Sequence, residues 1–216
     1  MTRVKVFVEG QTEETFVRNV IVPYYAPRGI YLTPILALTS PGHRGGIVSY
    51  AKTKHQLQRL CREDPGATIT SMVDYYGLPT DFPGYAQMTT KPALDQVIYL
   101  EACWLADMNE PNFLPYFQLH EFEALLFCDP AKFAIWTDDE GSVATLETIK
   151  AQFDSPESIN NNPNTAPSKR ILASVPGYQK TLHGPIIAED IGLDIIRRQC
   201  PHFDQWLRNI EGISLL

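Results

Sequence analysis

The sequence is poor in cysteine, and its cysteines do not follow the patterns that mark disulfide frameworks or zinc sites. The four of them, Cys61, Cys103, Cys128 and Cys200, are widely separated and form no C-x-x-C pair. Disulfide-rich domains and zinc knuckles require closely spaced cysteines. We therefore predict free, buried thiols in a reducing compartment.

The chain also lacks a long apolar run and an excess of basic residues. No apolar segment approaches the roughly 20 residues that a membrane helix needs, and no signal-peptide pattern follows Met1. We therefore expect a cytoplasmic protein without a membrane partner. The net charge of −7 argues against a general nucleic-acid coat, because binding many phosphates requires clustered lysine and arginine. A metal-centred active site tolerates this charge, since bound cations supply positive charge locally.

Apolar segments of strand length alternate with helical patterns in the first part of the chain. Strands are predicted over residues 3–8, 30–38, 67–73 and 112–119, and helical segments follow them. This order is typical of an α/β fold with a mostly parallel sheet and helices on both faces. The sequence therefore predicts a Rossmann-like sheet architecture.

Beyond residue 130 the pattern becomes helical. Helices are predicted around 142–152, 166–174, 184–199 and 202–210, with a surface loop at 160–163. We expect an α/β core over residues 1–130 and a helical C-terminal extension over 131–216 that packs on this core. At 216 residues, the two parts fit one compact domain.

Acidic residues follow three of the predicted strands. Glu9 and Glu13 follow the first, Asp74 the third, and Glu121 and Glu123 the fourth. Because the carboxyl ends of parallel strands meet at one edge of a sheet, we expect these acids to lie close together. Carboxylate oxygens suit Mg²⁺ or Mn²⁺, and two such ions can clamp the attacking and leaving oxygens of a phosphodiester. The alternative, commoner for any single acid, is a helix cap or a partner of the helix dipole.

Other residues near these acids have competing interpretations. On a helix, Glu121 and Glu123 would point about 200° apart. If they straddle the strand end instead, both could converge, but we expect only one to bind metal directly. Glu123 lies in an apolar run, where a carboxylate is costly unless paired or bound to a cation. His120 fits a phosphate contact less well than a packed or capping role. The glycine-rich loop at 42–46 lacks the Gly-Lys-Ser/Thr ending of a P-loop, and we interpret it as an ordinary loop.

Aromatic residues cluster in the loop that follows Asp74. They are Tyr75, Tyr76, Phe82 and Tyr85. Beside a nuclease site they could stack on unpaired bases. For most of them we expect packing against their own domain instead.

The order Val-Glu-Gly-x-Thr-Glu, an apolar strand ending in Asp, and a strand leading to an acid resembles the Toprim fold. That fold occurs in topoisomerases, primases and overcoming-lysogenization-defect (OLD) type nucleases. More closely, the chain resembles a bacterial family known as domain of unknown function 4276. The segments that carry this resemblance are residues 4–13, 74–79, 120–127, 167–170 and 200–206, which together span nearly the whole chain.

The Toprim resemblance implies that Glu9 is a general acid/base or metal ligand, and that Glu13 and Asp74 bind metal. One departure concerns the Asp-x-Asp motif of Toprim enzymes, because Tyr76 stands where the second aspartate is expected. The missing ligand could come from Asp81, or from Glu121 or Glu123. Alternatively, the site could bind a single metal ion.

OLD-type nucleases use a lysine from a C-terminal segment to stabilise charge on the phosphate. The resemblance implies this role for Lys169, and Lys180 is a second match. A solvated basic pair formed by Lys169 and Arg170 is the alternative, since such pairs look like cationic clamps in a sequence.

The sequence thus predicts a Mg²⁺- or Mn²⁺-dependent Toprim-like nuclease that acts on DNA or RNA. Its predicted catalytic residues are Glu9 and Lys169, and its predicted metal ligands are Glu9, Glu13, Asp74, Glu121 and Glu123. The resemblance also implies a partner ATPase of the ABC or SMC-like class in phage defence. Two alternatives stay open: a non-catalytic interaction or regulatory subunit of such a system, and phosphoryl chemistry on small nucleotides.

Overall fold

A parallel sheet organises the N-terminal part of the computed structural model. The model describes residues 1–40, 43–44, 46–88, 92–137, 139–159, 162 and 164–213. The strands are β1 (Thr2–Val8), β2 (Ile30–Leu36), β3 (Leu38–Ser40), β4 (His43–Arg44), β5 (Thr68–Asp74), β6 (Phe113–Leu114) and β7 (Phe117–Gln118). The main sheet has the order β2-β1-β5-β6, β7 also pairs with β5, and all these pairs are parallel. The mostly parallel α/β fold is therefore confirmed.

Two predicted strands are interrupted. The strand predicted over 112–119 divides into β6 and β7, because Pro115 has no N–H to donate to a ladder. Next to Pro115, the hydroxyl of Ser71 takes the place of backbone hydrogen bonds between the strands. It accepts from Tyr116 N–H at 2.8 Å and donates to Tyr116 O at 2.9 Å. The strand predicted over 30–38 divides at Ala37, and β3 pairs with β4 in a separate antiparallel ribbon.

Helices cover the sheet and make up the C-terminal part. The α-helices are α1 (Gln11–Phe16), α2 (Val22–Tyr25), α3 (Tyr50–Glu63), α4 (Ala93–Met108), α5 (Glu140–Lys150), α6 (Pro167–Ser174), α7 (Lys180–Ile191), α8 (Leu193–Gln199) and α9 (Pro201–Ile213). A π-helical segment, Val17–Ile21, joins α1 to α2. Short 3-10 helices occur at Ala26–Arg28, Tyr85–Gln87, Phe122–Cys128, Pro130–Ile135 and Pro156–Ser158. The helical C-terminal part is therefore confirmed.

One predicted helix is in fact two. The helix predicted over 184–199 begins earlier, at Lys180, and is broken at Gly192. Gly192 has φ 83° and ψ 145°, a backbone conformation that is essentially restricted to glycine. In the loops predicted at 42–46 and 160–163, residues 42, 45, 160, 161 and 163 lie outside the described part of the chain.

Two buried clusters lie on opposite faces of the sheet, as the alternation of side chains along β1 requires. Val6 and its neighbours on the same face pack with Phe16 of α1 and with side chains of α7, α8 and α9, including Ile187 and Phe203. Phe7 faces the other way and packs with side chains of α3 and α4. The C-terminal helices thus share a core with β1, and the division at residue 130 stays a prediction.

The thiols agree with the prediction of free cysteines. Cys61, Cys128 and Cys200 are buried, Cys103 is half-buried, and all are free. The Sγ atoms of Cys128 and Cys200 lie 3.4 Å apart. No helix in the described ranges combines the length and apolarity that crossing a bilayer demands.

Candidate functional site

Acids from three strand ends meet at the carboxyl edge of the sheet. Glu9 comes directly after β1, and its Oε2 accepts a hydrogen bond of 3.1 Å from the backbone N–H of Asp74, the last residue of β5. Asp74 Oδ1 in turn accepts one of 3.0 Å from the N–H of Phe122, which follows β7. Backbone donors thus orient both carboxylates at the point where neighbouring parallel strands end.

Glu13 lies in the first turn of α1, and its side chain is buried. The turn from β1 into α1 brings this carboxylate back against the backbone of Gly10. A Cβ atom on Gly10 would lie only 3.0 Å from Glu13 Oε2. Gly10 itself has an extended backbone that any residue can adopt, so a side chain there would require only a small shift of the Glu13 carboxylate.

Glu121 and Glu123 converge on a single lysine, Lys180 at the start of α7. Lys180 Nζ lies 2.8 Å from Glu123 Oε2 and 3.7 Å from Glu121 Oε2. Glu121 Oε1 accepts from Ser168 N–H at 2.5 Å. Their convergence matches the case in which they straddle the strand end rather than share a helix, because Glu121 has an extended backbone (φ −154°, ψ 166°) and precedes the 3-10 helix that contains Glu123.

Burial and mutual repulsion make these acids hard to ionise. Burial, followed by the charge of Glu13, raises the pKa of Glu9 to about 7. Burial, followed by the charges of Glu13 and Glu9, raises the pKa of Asp74 well above its ordinary value. Burial is also the main reason why the pKa of Glu13 is raised and that of Glu123 is raised to about 7. A cation close to them would relieve this cost.

The charge of Lys180 is stabilised by the same acids. Burial alone would lower its pKa, but the carboxylates of Glu123 and Asp74 reverse this effect, and the pKa is raised. The lysine and the carboxylates around it therefore form one electrostatic unit. We call it the acid cluster; its members are Glu9, Glu13, Asp74, Glu121, Glu123 and Lys180.

The donor chemistry of the acid cluster fits a hard divalent cation. All its ligand atoms are carboxylate oxygens, the type that Mg²⁺ and Mn²⁺ prefer. Glu123 Oε1 is buried and has no hydrogen-bond partner. Within the described ranges, however, no three histidine, cysteine, aspartate or glutamate side chains already stand as a ready ligand set. An ion would therefore have to draw the carboxylates together, and the roles of the five acids as ligands stay predictions.

The two candidate lysines lie in different places. Lys169 is exposed in the first turn of α6, and the contacts of the described residues do not join its side chain to the acids. Lys180 lies within the acid cluster. The catalytic role of Lys169 stays a prediction, whereas the geometry favours Lys180 as the cation next to the acids.

Several other candidates have structural roles. The carboxylate of Asp81 accepts from Tyr50 N–H at 3.0 and 2.9 Å and so caps α3. His120 is buried with a left-handed φ of 61°, and burial lowers its pKa to about 4. Tyr75 and Phe82 are buried in the domain, as expected for most of the aromatic residues in this loop.

Sequence reasoning noted His183 as part of a second candidate patch after Lys180 but missed Tyr178 and Trp136. Tyr178 is buried, its hydroxyl has no hydrogen-bond partner among the described residues, and Glu123 and Glu121 contribute to its raised pKa after burial itself. His183, one turn after Lys180, stacks on Trp136 with ring centroids 4.7 Å apart. No motif or spacing connects these residues, because the packing of α7 alone brings them together.

Comparisons with solved structures find distant likeness. The C-terminal region of the Burkholderia pseudomallei OLD protein is 15% identical, with 99% of this chain and 98% of that chain covered and a TM-score of 0.46. The C-terminal region of the Xanthomonas campestris pv. campestris OLD protein is 13% identical, with coverage of 100% and 98% and a TM-score of 0.45. At these TM-scores the likeness carries no functional argument.

No curated protein has a sequence that matches this chain. A family model does match it, over residues 8–211, which is nearly the full length. The chain therefore belongs to the family described as domain of unknown function DUF4276.

Proposed function

We propose that this protein is a Toprim-like nuclease that uses Mg²⁺ or Mn²⁺ to hydrolyse phosphodiester bonds in DNA or RNA. The observation that carries the proposal is the meeting of Glu9 and Asp74 at neighbouring strand ends, where no lysine or arginine of the described residues forms an ion pair with either acid. A divalent cation bound there would activate water and stabilise negative charge on the phosphate.

The residues of the acid cluster would have different roles in the reaction. Glu9, which the backbone N–H of Asp74 orients, would accept a proton from the attacking water and release it later. Glu13 and Asp74 would hold the cation, while Glu121 and Glu123 would stay paired with Lys180. Lys180, and by the sequence resemblance Lys169, would stabilise the developing phosphate charge.

The test is cleavage by purified Glu9→Gln protein with Mn²⁺. We expect loss of cleavage of single- and double-stranded oligonucleotides, with the fold intact by circular dichroism. The matched control is Glu14→Gln, because Glu14 neighbours Glu13 but is paired with Arg18 at 2.7 Å. Persistent cleavage by the Glu9 variant would rule out the proposed role of Glu9. Hydrolysis of free nucleotides but not of oligonucleotides would favour small-nucleotide chemistry instead.

A non-catalytic role is the second candidate, supported by the absence of an acid at Tyr76 and by the pairing of Glu121 and Glu123 with Lys180. In that case the chain would be the interaction or regulatory subunit of a phage-defence system with an ABC or SMC-like ATPase. Co-purification with such an ATPase, together with no metal-dependent cleavage, would favour it over the nuclease.

A further inference from the structure

Lys180 divides the acid cluster into two unequal parts. Its Nζ contacts the carboxylates of Glu123 and Glu121, whose side chains are 0% and 4% exposed, while its own side chain is 40% exposed. The lysine thus reaches from the surface into the cluster and neutralises its two acids after β7. Removing it would leave two carboxylates buried without a cation, which is costly.

The position of Lys180 on its helix is electrostatically unfavourable. Lys180 is the first residue of α7, where the helix dipole is positive and a cation is disfavoured. The neighbouring N-cap, Gln179, offers no side-chain cap. The carboxylates, rather than the helix, therefore account for a half-buried cation at this place.

The other part of the cluster feels the charge of Lys180 but has no cation in direct contact among the described residues. None of the ion pairs formed by the described residues includes Glu9, Glu13 or Asp74. Backbone N–H groups instead orient the carboxylates of Glu9 and Asp74. Three acids that form no ion pair with the described residues thus lie beside two acids that share a lysine, and a divalent ion would have to draw the three carboxylates together.

We propose that Lys180 takes the place of a second metal ion, so that the protein binds one divalent cation, at Glu9, Glu13 and Asp74. This inference rests on the proposed metal-dependent function. The ammonium group has three N–H donors, and its pairing with Glu123 leaves donors for a non-bridging oxygen of a phosphodiester at the exposed side of the cluster. Tyr76, two residues after Asp74, supplies no further carboxylate.

The first experiment counts ions per chain. Calorimetric titration with Mn²⁺, supported by electron paramagnetic resonance of bound Mn²⁺, should give one site in the wild-type protein. Lys180→Met keeps the length of the side chain and removes the charge, and we expect two sites. Lys169→Met, the same change at an exposed lysine, should keep one site.

A second pair of variants identifies the ligands with Lys180 in place. Asp74→Asn should weaken Mn²⁺ binding by about tenfold or more, as expected for loss of a ligand or its support. Glu123→Gln is a change of the same kind in the other part of the cluster. It should leave one Mn²⁺ site per chain and change the affinity by less than about threefold, which is below the smallest loss expected for a coordinating group. This comparison remains decisive if Lys180→Met does not fold.

The outcomes separate this inference from the proposed function. Two Mn²⁺ ions in the wild type, one ion in Lys180→Met, or equal loss of binding in both acid variants would overturn the role of Lys180 while leaving a metal-dependent enzyme in place. Absence of Mn²⁺ binding in the wild type and in every variant would overturn the proposed function as well.

Discussion

Among single residues, Glu9 couples the charge of the site to the stability of the fold. Its pKa rises from 4.5 to about 7 on folding, mainly through burial and then through the charge of Glu13. The folded protein therefore holds this proton more tightly than the unfolded chain does. The stability that this gives is fully present below about pH 4.5 and is lost as the pH rises through about 7.

We expect the metal-free protein to show this loss in denaturant unfolding with EDTA. Relative to Glu9→Gln, the wild-type free energy of unfolding should fall by on the order of 2 kcal/mol across that pH interval. The variant is the control, since its amide does not titrate. A difference between the two proteins that does not change with pH would mean that Glu9 titrates alike in the folded and unfolded states.

Tyr178 carries a buried hydroxyl without a hydrogen-bond partner, which costs free energy. We expect Tyr178→Phe to raise the free energy of unfolding by about 1 kcal/mol. Tyr25→Phe is the matched control, because the Tyr25 hydroxyl donates to Glu211 at 2.7 Å, and we expect it to destabilise by a similar amount. Destabilisation by both variants would show that the Tyr178 hydroxyl has a partner in solution.

These residues also show what sequence reasoning can locate. Glu9 and Asp74 were predictable as neighbours, because each ends an apolar strand and parallel strands end at one edge. Lys180 was only one of two candidate lysines, and Tyr178 was missed. The packing of α7 brings both residues to the site. A local sequence pattern does not specify which helix packs beside a strand end.

At the scale of elements, α7 can support the site because it passes close to the structures that carry the acids. Gly184 lies on its inner side, where an added Cβ would be 3.1 Å from Tyr178 Oη and 3.3 Å from Phe122 Cε1. Both of those side chains are buried, so neither can move aside easily. Close packing therefore favours glycine at this position, although alanine would have the higher helix propensity.

We expect Gly184→Ala to destabilise the protein by about 1–2 kcal/mol, because the cost of overpacking exceeds the gain in helix propensity. Thermal or urea unfolding measures this change. The control is Gly212→Ala in α9, where an added Cβ meets nothing within 4 Å, and we expect stabilisation of up to about 1 kcal/mol. Stabilisation by both alanines would show that α7 can shift away from Tyr178.

Elements differ in how well their ends can be predicted. β1 and β5 follow the prediction closely because both are rich in β-branched residues, which favour strands. The strand predicted over 112–119 is interrupted at Pro115, because proline has no backbone N–H to donate to a neighbouring strand. The sequence itself shows this proline, so the interruption could have been predicted. The extended backbone of Glu121 had no such signal, and it is what turns Glu121 and Glu123 towards one lysine.

Over the whole molecule, the acid cluster draws on both parts of the chain. Its five acids lie at or after the ends of β1, β5 and β7, whereas Lys180 comes from the helical part that packs on the same core. Binding of a cation should therefore stabilise the entire fold rather than a local loop. Any ligand that binds only the folded state adds about 2.7 kcal/mol of stability at a hundred times its Kd.

We accordingly expect saturating Mn²⁺ to raise the midpoint of thermal unfolding by about 5–10 °C relative to EDTA, given the usual 2–4 °C per kcal/mol for a chain of this size. The shift should be larger at about pH 8 than at about pH 6, because protons compete with the ion for acids whose pKa values are raised, including Glu9 near 7. Asp74→Asn should lose most of the shift and Glu14→Gln should retain it. An equal shift in both variants would mean that Mn²⁺ acts elsewhere on this acidic chain, because Asp74 would then contribute nothing to its binding.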